Sequence, residues 1–523
     1  MRQLALSVCL LAASAISVST AQAHGPGKCE GAFSKLEAII KPSAFKEYDI
    51  RGVAGVDLSP AFAHKLGRAY ATYLHSVTKK PAAGRARLTI AVGYDARLSS
   101  PSYRAALIEG LLESGIDVID IGLVSTPLTY FSSRSLDLDG SIMVTASHNP
   151  GKYNGFKISV GTEPIFGDKI RNLRNVMEAD TGRNAETRGT VAKKSIIASY
   201  HRFVLENLRR LNLSIDPAIV DSIVVDNTNG VAGGIAPSLY RQLGVKVVSL
   251  FEKPDGHFPN HNPDPSVAAN IKTIQAEVVK SGAKLGIAFD GDADRIVLID
   301  EKGTAVSGDV TMALLAKDVL DSHPGATIMG EVKMGSVFYD TITNNGGKAI
   351  MFRTGAALMK DKIDELGIAL AGESSGHIIY GKKAGWINTD DAIYVGARVM
   401  AIITKENKPL SEILAPYLHT SVSTPESRLE VDDEVKFKLV ELLKKDLLAD
   451  GLNVNSIDGV RVTLANGSWG LIRASNTEPA LSVRFEARTA ADLHAVEKMM
   501  FDRLSAAAHS IGYSKPIKES AGH

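Results

Sequence analysis

Cysteine is nearly absent from this chain. Two residues, Cys9 and Cys29, occur in 523, and a fold stapled by disulfides is excluded on that count. A surplus of either charge is absent as well. The formal net charge is +1, so the basic footprint of a nucleic-acid binder or an acidic-membrane binder is not expected. After the N-terminal segment no apolar run approaches the roughly 20 residues that a membrane-spanning helix needs. Low-complexity tracts are missing. What remains, 45% hydrophobic and 22% charged residues, is the balance of an ordinary globular protein. A chain this long exceeds one core, and three or four domains are expected.

The N-terminus stands apart. Arg2 precedes an apolar run over residues 4–18, followed by Ala21-Gln22-Ala23. A charged start, a short apolar stretch and an A-x-A site form the pattern of a secretory signal peptide over residues 1–23. The run is too short for a membrane anchor, so no stable membrane insertion is expected. Residues 24–41 read as a leader. Cleavage after Ala23 removes Cys9 and leaves Cys29 alone, with no role assigned to it. No Met lies between Met1 and Met143, which favours a real leader. The pattern points to a periplasmic or secreted protein.

From there the sequence alternates between strand and helix patterns. Residues 88–93, 116–121 and 141–144 read as strands, with a helix over 103–114. The pattern recurs with strands at 223–226, 245–250, 285–289 and 296–300 and a helix over 230–243. It recurs again with strands at 327–329 and 349–352 and a helix over 337–344. Such alternation predicts largely parallel sheets with helices on their faces, and ligands in such folds bind beyond the carboxyl ends of strands. The last part differs: a helix over 435–448, strands at 460–464 and 481–485, and a closing helix over 490–507. The fold class is therefore α/β, with three similar mixed α/β domains in series and a C-terminal α+β domain built on an antiparallel sheet. The boundaries fall at 42–188, 189–303, 304–417 and 418–523.

Four short segments carry chemistry. Asp290, Asp292 and Asp294 alternate between two strand-like stretches. Hard cations such as Mg²⁺ take oxygen ligands, and three closely spaced carboxylates suit them. An EF-hand loop also opens with alternating acids. Here its sixth position is Arg295 where the turn needs Gly, and the flanks are strands, so that reading fails. Ser147, in Thr145-Ala146-Ser147-His148-Asn149-Pro150, sits at a strand end with Lys157 ten residues on. By itself it reads as a turn serine. Gly372-Glu373-Ser374-Ser375-Gly376-His377 contains G-x-S-x-G, the spacing of a hydrolase nucleophile centred on Ser374. That elbow needs a helix after it, and residues 378–382 do not start one. The segment reads better as a hydrogen-bonding loop for a polyhydroxylated ligand. Arg473-Ala474-Ser475-Asn476-Thr477 gathers a guanidinium, hydroxyls and an amide, a set suited to a phosphate dianion.

Taken in order, these segments and Tyr48-Asp49-Ile50-Arg51-Gly52 resemble the α-D-phosphohexomutases, most closely the bacterial phosphomannomutase/phosphoglucomutase branch. The resemblance runs from about Phe45 to the final helix. It implies four domains around a central cleft and a role for each loop. Ser147 would carry the phosphoryl group. Asp290, Asp292 and Asp294, with the serine phosphate, would hold one Mg²⁺ per chain. Lys157 or His148 would transfer protons. Glu373, Ser375 and His377 would read sugar hydroxyls. Arg473, Ser475, Asn476 and Thr477 would grip the non-reacting phosphate, with Tyr48, Arg51, Arg295 and Lys333 completing the cleft. The expected reaction interconverts hexose 6-phosphate and hexose 1-phosphate, of mannose or glucose, through a hexose 1,6-bisphosphate that also serves as activator. Hexose phosphates are then the partners, and a monomer is expected. The chain departs from the branch at Ala356, where His is frequent, at Ser374, where Met is typical, and at Ala293, where Gly is common. The first two bear on sugar preference. The competing reading is an exported sugar-phosphate binding protein that has lost catalysis. The signal pattern motivates it, whereas the chemistry by itself would suit the cytoplasm.

Overall fold

The computed structural model describes residues 38–418, 420–475 and 479–519. The signal pattern, most of the leader, Cys29, Asn476 and Thr477 therefore lie outside the described residues.

Three α/β units follow one another, and their sheets share a plan. In the first, the central order is Tyr153–Val160, Gly140–Val144, Thr89–Tyr94, Asp117–Leu123. In the second it is Ile296–Ile299, Leu285–Phe289, Ser222–Asp226, Lys246–Leu250, and in the third Ile378–Tyr380, Ile368–Gly372, Thr327–Glu331, Lys348–Phe352. In each, the first pair is antiparallel and the other two pairs are parallel. The sheets are mixed, as expected of three similar mixed α/β domains, with their parallel pairs followed by a hairpin after the third of these strands in chain order. The central strands are buried along their length, as in Leu285–Phe289 and Ile368–Gly372, and accordingly read as continuous apolar runs.

The helix expected over 230–243 is broken. Val231–Gly234 forms a 3₁₀ turn and Ala236–Gln242 a separate α-helix. Pro237 has no N–H to donate and is tolerated only in a first helical turn, so the helix must restart beside it.

The fourth unit is α+β. Its strands pair antiparallel throughout, in the order Asn453–Asn455, Val460–Thr463, Trp469–Ala474, Ala480–Ala487, Ser427–Glu430, Lys518–Glu519. Helices Asp433–Ala449 and Ala490–Ser510 pack on this sheet over a separate core that includes Leu443, Ile472, Phe485 and Met500. By contrast, one continuous core joins the first three units through Phe131, Tyr200, Phe289, Trp386 and Tyr394. The fourth unit meets the third through polar clamps around a small apolar patch of buried Val332, Trp469 and Leu471 with Met351 packed against it. Arg461 donates to the carbonyls of Val332 and Met334 and lies 3.6 Å over the Trp469 ring, and Arg484 pairs with buried Asp309. Among the described residues no helix is long and apolar enough to cross a membrane.

Candidate active site

All four units open onto one cavity of about 620 Å³. Each contributes the loop of one antiparallel hairpin: Ser147 after Gly140–Val144, the aspartates after Leu285–Phe289, Glu373 to His377 after Ile368–Gly372, and Arg473 and Ser475 at the end of Trp469–Ala474.

Ser147 is buried and has φ 51°, in the left-handed region. For a residue with a Cβ that conformation costs roughly 1 kcal/mol, so the surroundings must hold it. The Thr145 hydroxyl accepts the Ser147 N–H at 2.9 Å. The Ser147 Oγ donates to Asp290 Oδ2 at 2.6 Å, which joins the first unit to the second. His148 Nδ1 lies 3.3 Å from the same Oγ. Burial, then the positive charges of Arg295 and Arg51, push the His148 imidazole well below its ordinary pKa, so it is neutral near pH 7.

Asp290, Asp292 and Asp294 are all buried, and each offers an oxygen within 4.8 Å of the others. At that spacing two like charges repel by roughly 3 kcal/mol or more at an effective dielectric of about 20. Burial and the neighbouring Asp292 and Asp294 accordingly drive the Asp290 carboxyl well above the ordinary carboxylate range. Part of the charge is met by protein. Lys157 Nζ donates to Asp292 Oδ2 at 2.7 Å and to Asp294, and the Thr126 hydroxyl donates to Asp292 Oδ2 at 2.5 Å. Burial would depress the Lys157 ammonium, but Asp292 and Asp294 outweigh it and hold its pKa well above the usual value. Two oxygens, Asp292 Oδ1 and Asp294 Oδ1, are buried with no hydrogen-bond partner. Unpaired buried carboxylate oxygens are costly. A hard cation liganded by oxygen would satisfy both, so the residues fit the metal that the spacing suggested.

Ala293 supplies the turn inside this loop, with φ 59°. A glycine at this position would avoid the strain of that conformation.

Glu373, Ser375 and His377 line this same cavity. Arg295 Nε donates to His377 Nε2 at 2.8 Å, tying the aspartate loop to the loop after Ile368–Gly372. That places the imidazole proton on Nδ1, 3.1 Å from Asp390 Oδ2 and 3.6 Å from Asp294 Oδ1. Asp294, His377 and Asp390 thus have a spacing compatible with a metal ion. Lys157 and Lys360 already pair with the two carboxylates, and the imidazole turns an N–H toward them, so no second ion is expected there. Glu373 accepts the Gly355 N–H at 2.6 Å and the Ser375 hydroxyl at 3.1 Å.

Ser374, the residue of the hydrolase reading, is no nucleophile. Its N–H and Oγ both donate to Glu331 Oε1, at 2.9 and 2.6 Å, and the residues after it form the strand Ile378–Tyr380.

At the far end, Arg473 pairs with Asp458 at 3.1 Å, and Lys333 donates to Glu426 at 2.8 Å. Tyr48 reaches across from the first unit to donate to the Thr354 carbonyl at 2.7 Å. Arg51 bonds Asn149 and Asp49, with its Nε buried and unpartnered. Ala356 lines the cavity at the start of the helix Ala356–Leu366.

Sequence reasoning missed Glu331, Asp390, Lys360, Glu426 and Asp458. Each acts on a neighbour's side chain or backbone across a loop boundary. Only Asp390, one of a pair of acids ahead of a helix, carried a visible signal.

Four family descriptions match the chain in order: phosphoglucomutase/phosphomannomutase alpha/beta/alpha domain I over residues 42–182, domain II over 200–303, domain III over 307–419, and the C-terminal domain over 426–503. The chain belongs to the phosphoglucomutase/phosphomannomutase family. A phosphomannomutase/phosphoglucomutase from Pseudomonas aeruginosa is 38% identical over 472 residues, 90% of this chain and 97% of that protein. A phosphoglucomutase from Neisseria gonorrhoeae is 37% identical over 465 residues, 88% of this chain and 96% of that one. Among solved structures, a phosphoglucomutase/phosphomannomutase family protein from Burkholderia thailandensis superposes with a TM-score of 0.80 at 34% identity, covering 90% of this chain and 98% of its own. The family resemblance read from the loops is borne out, and with it a phosphohexomutase, an intramolecular phosphotransferase.

Proposed function

We propose that this enzyme moves a phosphoryl group between the 1- and 6-positions of mannose or glucose phosphates by way of Ser147. The observation that carries this reading is the 2.6 Å hydrogen bond from Ser147 Oγ to Asp290, made across two units inside the shared cavity. Phosphoryl transfer asks for alignment and charge neutralisation more than covalent assistance. Asp290, Asp292 and Asp294 would hold Mg²⁺, which when bound offsets the charge of the phosphoryl group.

The chain's own groups do the rest. With phospho-Ser147, the Oγ–P bond breaks as a sugar hydroxyl oxygen bonds to phosphorus, and the hydroxyl proton leaves. Lys157 is charged, so it steadies phosphoryl oxygens and donates. His148 is neutral, and its imidazole accepts the proton. The Arg473 loop grips the phosphate at the other end of the sugar. Glu373, Ser375 and His377 offer both acceptors and donors, which suits a bisphosphate that must bind in two opposite orientations. A hexose 1,6-bisphosphate primes Ser147.

Intact mass after incubation with hexose 1,6-bisphosphate should show one added phosphate, absent in Ser147→Ala, and that variant should lose turnover. Near-normal turnover by Ser147→Ala sinks the assignment; sugar-phosphate binding without phosphorylation in the unaltered chain favours the binding protein instead. Coupled assays with mannose and glucose phosphates fix the preference, on which Ser374 and Ala356 bear. The N-terminal pattern supports export. N-terminal sequencing of the protein from fractionated native cells tests it, and an uncleaved cytosolic chain overturns it.

A further inference from the structure

We infer that Arg97 is the positioning residue that sets the nucleophile of the first unit in register with the metal loop of the second. This rests on the mutase reading above. Arg97 follows the strand Thr89–Tyr94, is fully buried, and stands behind the serine loop rather than in the cavity wall.

A guanidinium has five N–H donors in a rigid fork. Here every one is used. Nε donates to Asp95 Oδ2 at 3.0 Å, Nη2 to the carbonyls of Ser147 at 2.7 Å and Asn149 at 2.6 Å, and Nη1 to those of Pro150 at 2.7 Å and Tyr153 at 3.0 Å. Three carbonyls of the loop and that of Tyr153, which opens the next strand, converge on one side chain, so the loop is wrapped around it.

The same network reaches the other side of Ser147. Asp95 Oδ2 accepts the Thr145 hydroxyl at 2.8 Å, and that hydroxyl's oxygen accepts the Ser147 N–H at 2.9 Å. Both peptide groups flanking Ser147 are therefore held, and its left-handed backbone persists only under such constraint. The second unit closes on this assembly. The Phe258 ring lies 5.4 Å from the Arg97 guanidinium. A Cβ at Gly256 would sit 2.5 Å from the Ala96 carbonyl, and one at Gly291 would sit 2.6 Å from the Ser147 carbonyl, so only glycine allows either approach. The carbonyl that Arg97 holds is thus also the surface against which the metal loop rests, and its placement fixes where Oγ meets Asp290.

An arginine that merely stabilises the loop would lower thermal stability and leave the kinetic constants of folded enzyme alone. A positioning residue changes kcat selectively, since a misplacement of about 1 Å costs on the order of 100-fold in rate. Arg97→Lys keeps the charge and loses the fork. The expected result is a fall in kcat of about 100-fold with KM within about threefold, matched by an equal fall in the single-turnover rate of phosphorylation from hexose 1,6-bisphosphate. If Arg97→Lys does not fold, Thr145→Val removes only the hydroxyl on the N–H side of Ser147, and a kcat loss of about 10-fold at unchanged KM is expected. Wild-type kcat in a folded Arg97→Lys or Thr145→Val enzyme overturns the inference, as does a loss confined to melting temperature. If the unaltered enzyme neither turns over hexose phosphate nor becomes phosphorylated, the mutase reading itself has failed.

Discussion

Lys157 is the residue whose environment says most about the chemistry. Its ammonium lies between Asp292 and Asp294, partly exposed to the cavity, with its protons donated to the two carboxylates. From sequence it was one of two choices for proton transfer, and nothing there separated it from His148. The structure separates them by charge: Asp292 and Asp294 favour the cationic lysine, and burial favours the neutral histidine. Lys157→Met should therefore remove a charge that acts on the transferring group, and kcat at saturating metal is expected to fall by a factor of about 10² to 10⁴. Lys157→Arg, which keeps the charge, should retain part of the rate. Steady-state kinetics of the two variants check this, and a loss under tenfold in Lys157→Met would remove lysine from the mechanism. The identity of Lys157 was legible because it sits ten residues from the serine. Its partnership was not, because Asp292 and Asp294 are brought to it by a different unit.

At the scale of elements, the same hairpin does the same job three times. The serine loop, the metal loop and the sugar loop each join the third strand of a unit to its antiparallel neighbour. Their spacing along the chain was readable from motifs, and the strands around them from runs such as Leu285–Phe289 and Ile368–Gly372. The equivalence was not, since it lives in strand order rather than residue identity. Nor was the second half of each loop's support. Asp458 illustrates this: it accepts Arg473 Nε at 3.1 Å and the Thr354 N–H at 3.0 Å, linking the phosphate loop of the fourth unit to the third. Asp458→Asn leaves the guanidinium without its charged partner, at a cost of about 1.5 kcal/mol for a charged hydrogen bond. With that loop gripping the non-reacting phosphate, as proposed, KM should rise about tenfold for the 1-phosphate and the 6-phosphate alike, with a smaller change in kcat. Kinetics in both directions test it; an effect on only one of the two substrates would mean that the loop holds one phosphate position.

For the whole molecule the question is how three units present aligned loops while the fourth packs on its own core and meets them across a smaller contact. The shared core answers the first part and the polar clamps the second. One buried group at the junction makes this testable. Asp391 caps the helix Ala392–Glu406 of the third unit, accepting the Tyr394 N–H at 3.0 Å, and also accepts the Tyr200 hydroxyl of the second unit at 2.8 Å. Burial pushes its carboxyl up to about 7, helped by Asp390 and opposed by the hydrogen bonds from Tyr394 and Tyr200. Unfolded, the same group titrates near 4. Between those values the folded chain binds more proton than the unfolded one, so this group's contribution to stability falls as pH rises from about 4 to about 7, and is level outside that window. Three pKa units correspond to roughly 4 kcal/mol at most. Asp391→Asn stays neutral, still caps the helix and can still accept from Tyr200. Its melting temperature relative to the unaltered enzyme should therefore climb between pH 5 and pH 8, measured at one scan rate. A gap that does not change with pH would show that the carboxyl keeps its ordinary pKa in the folded enzyme and stands ionised at neutral pH, compensated by its hydrogen bonds or by solvent.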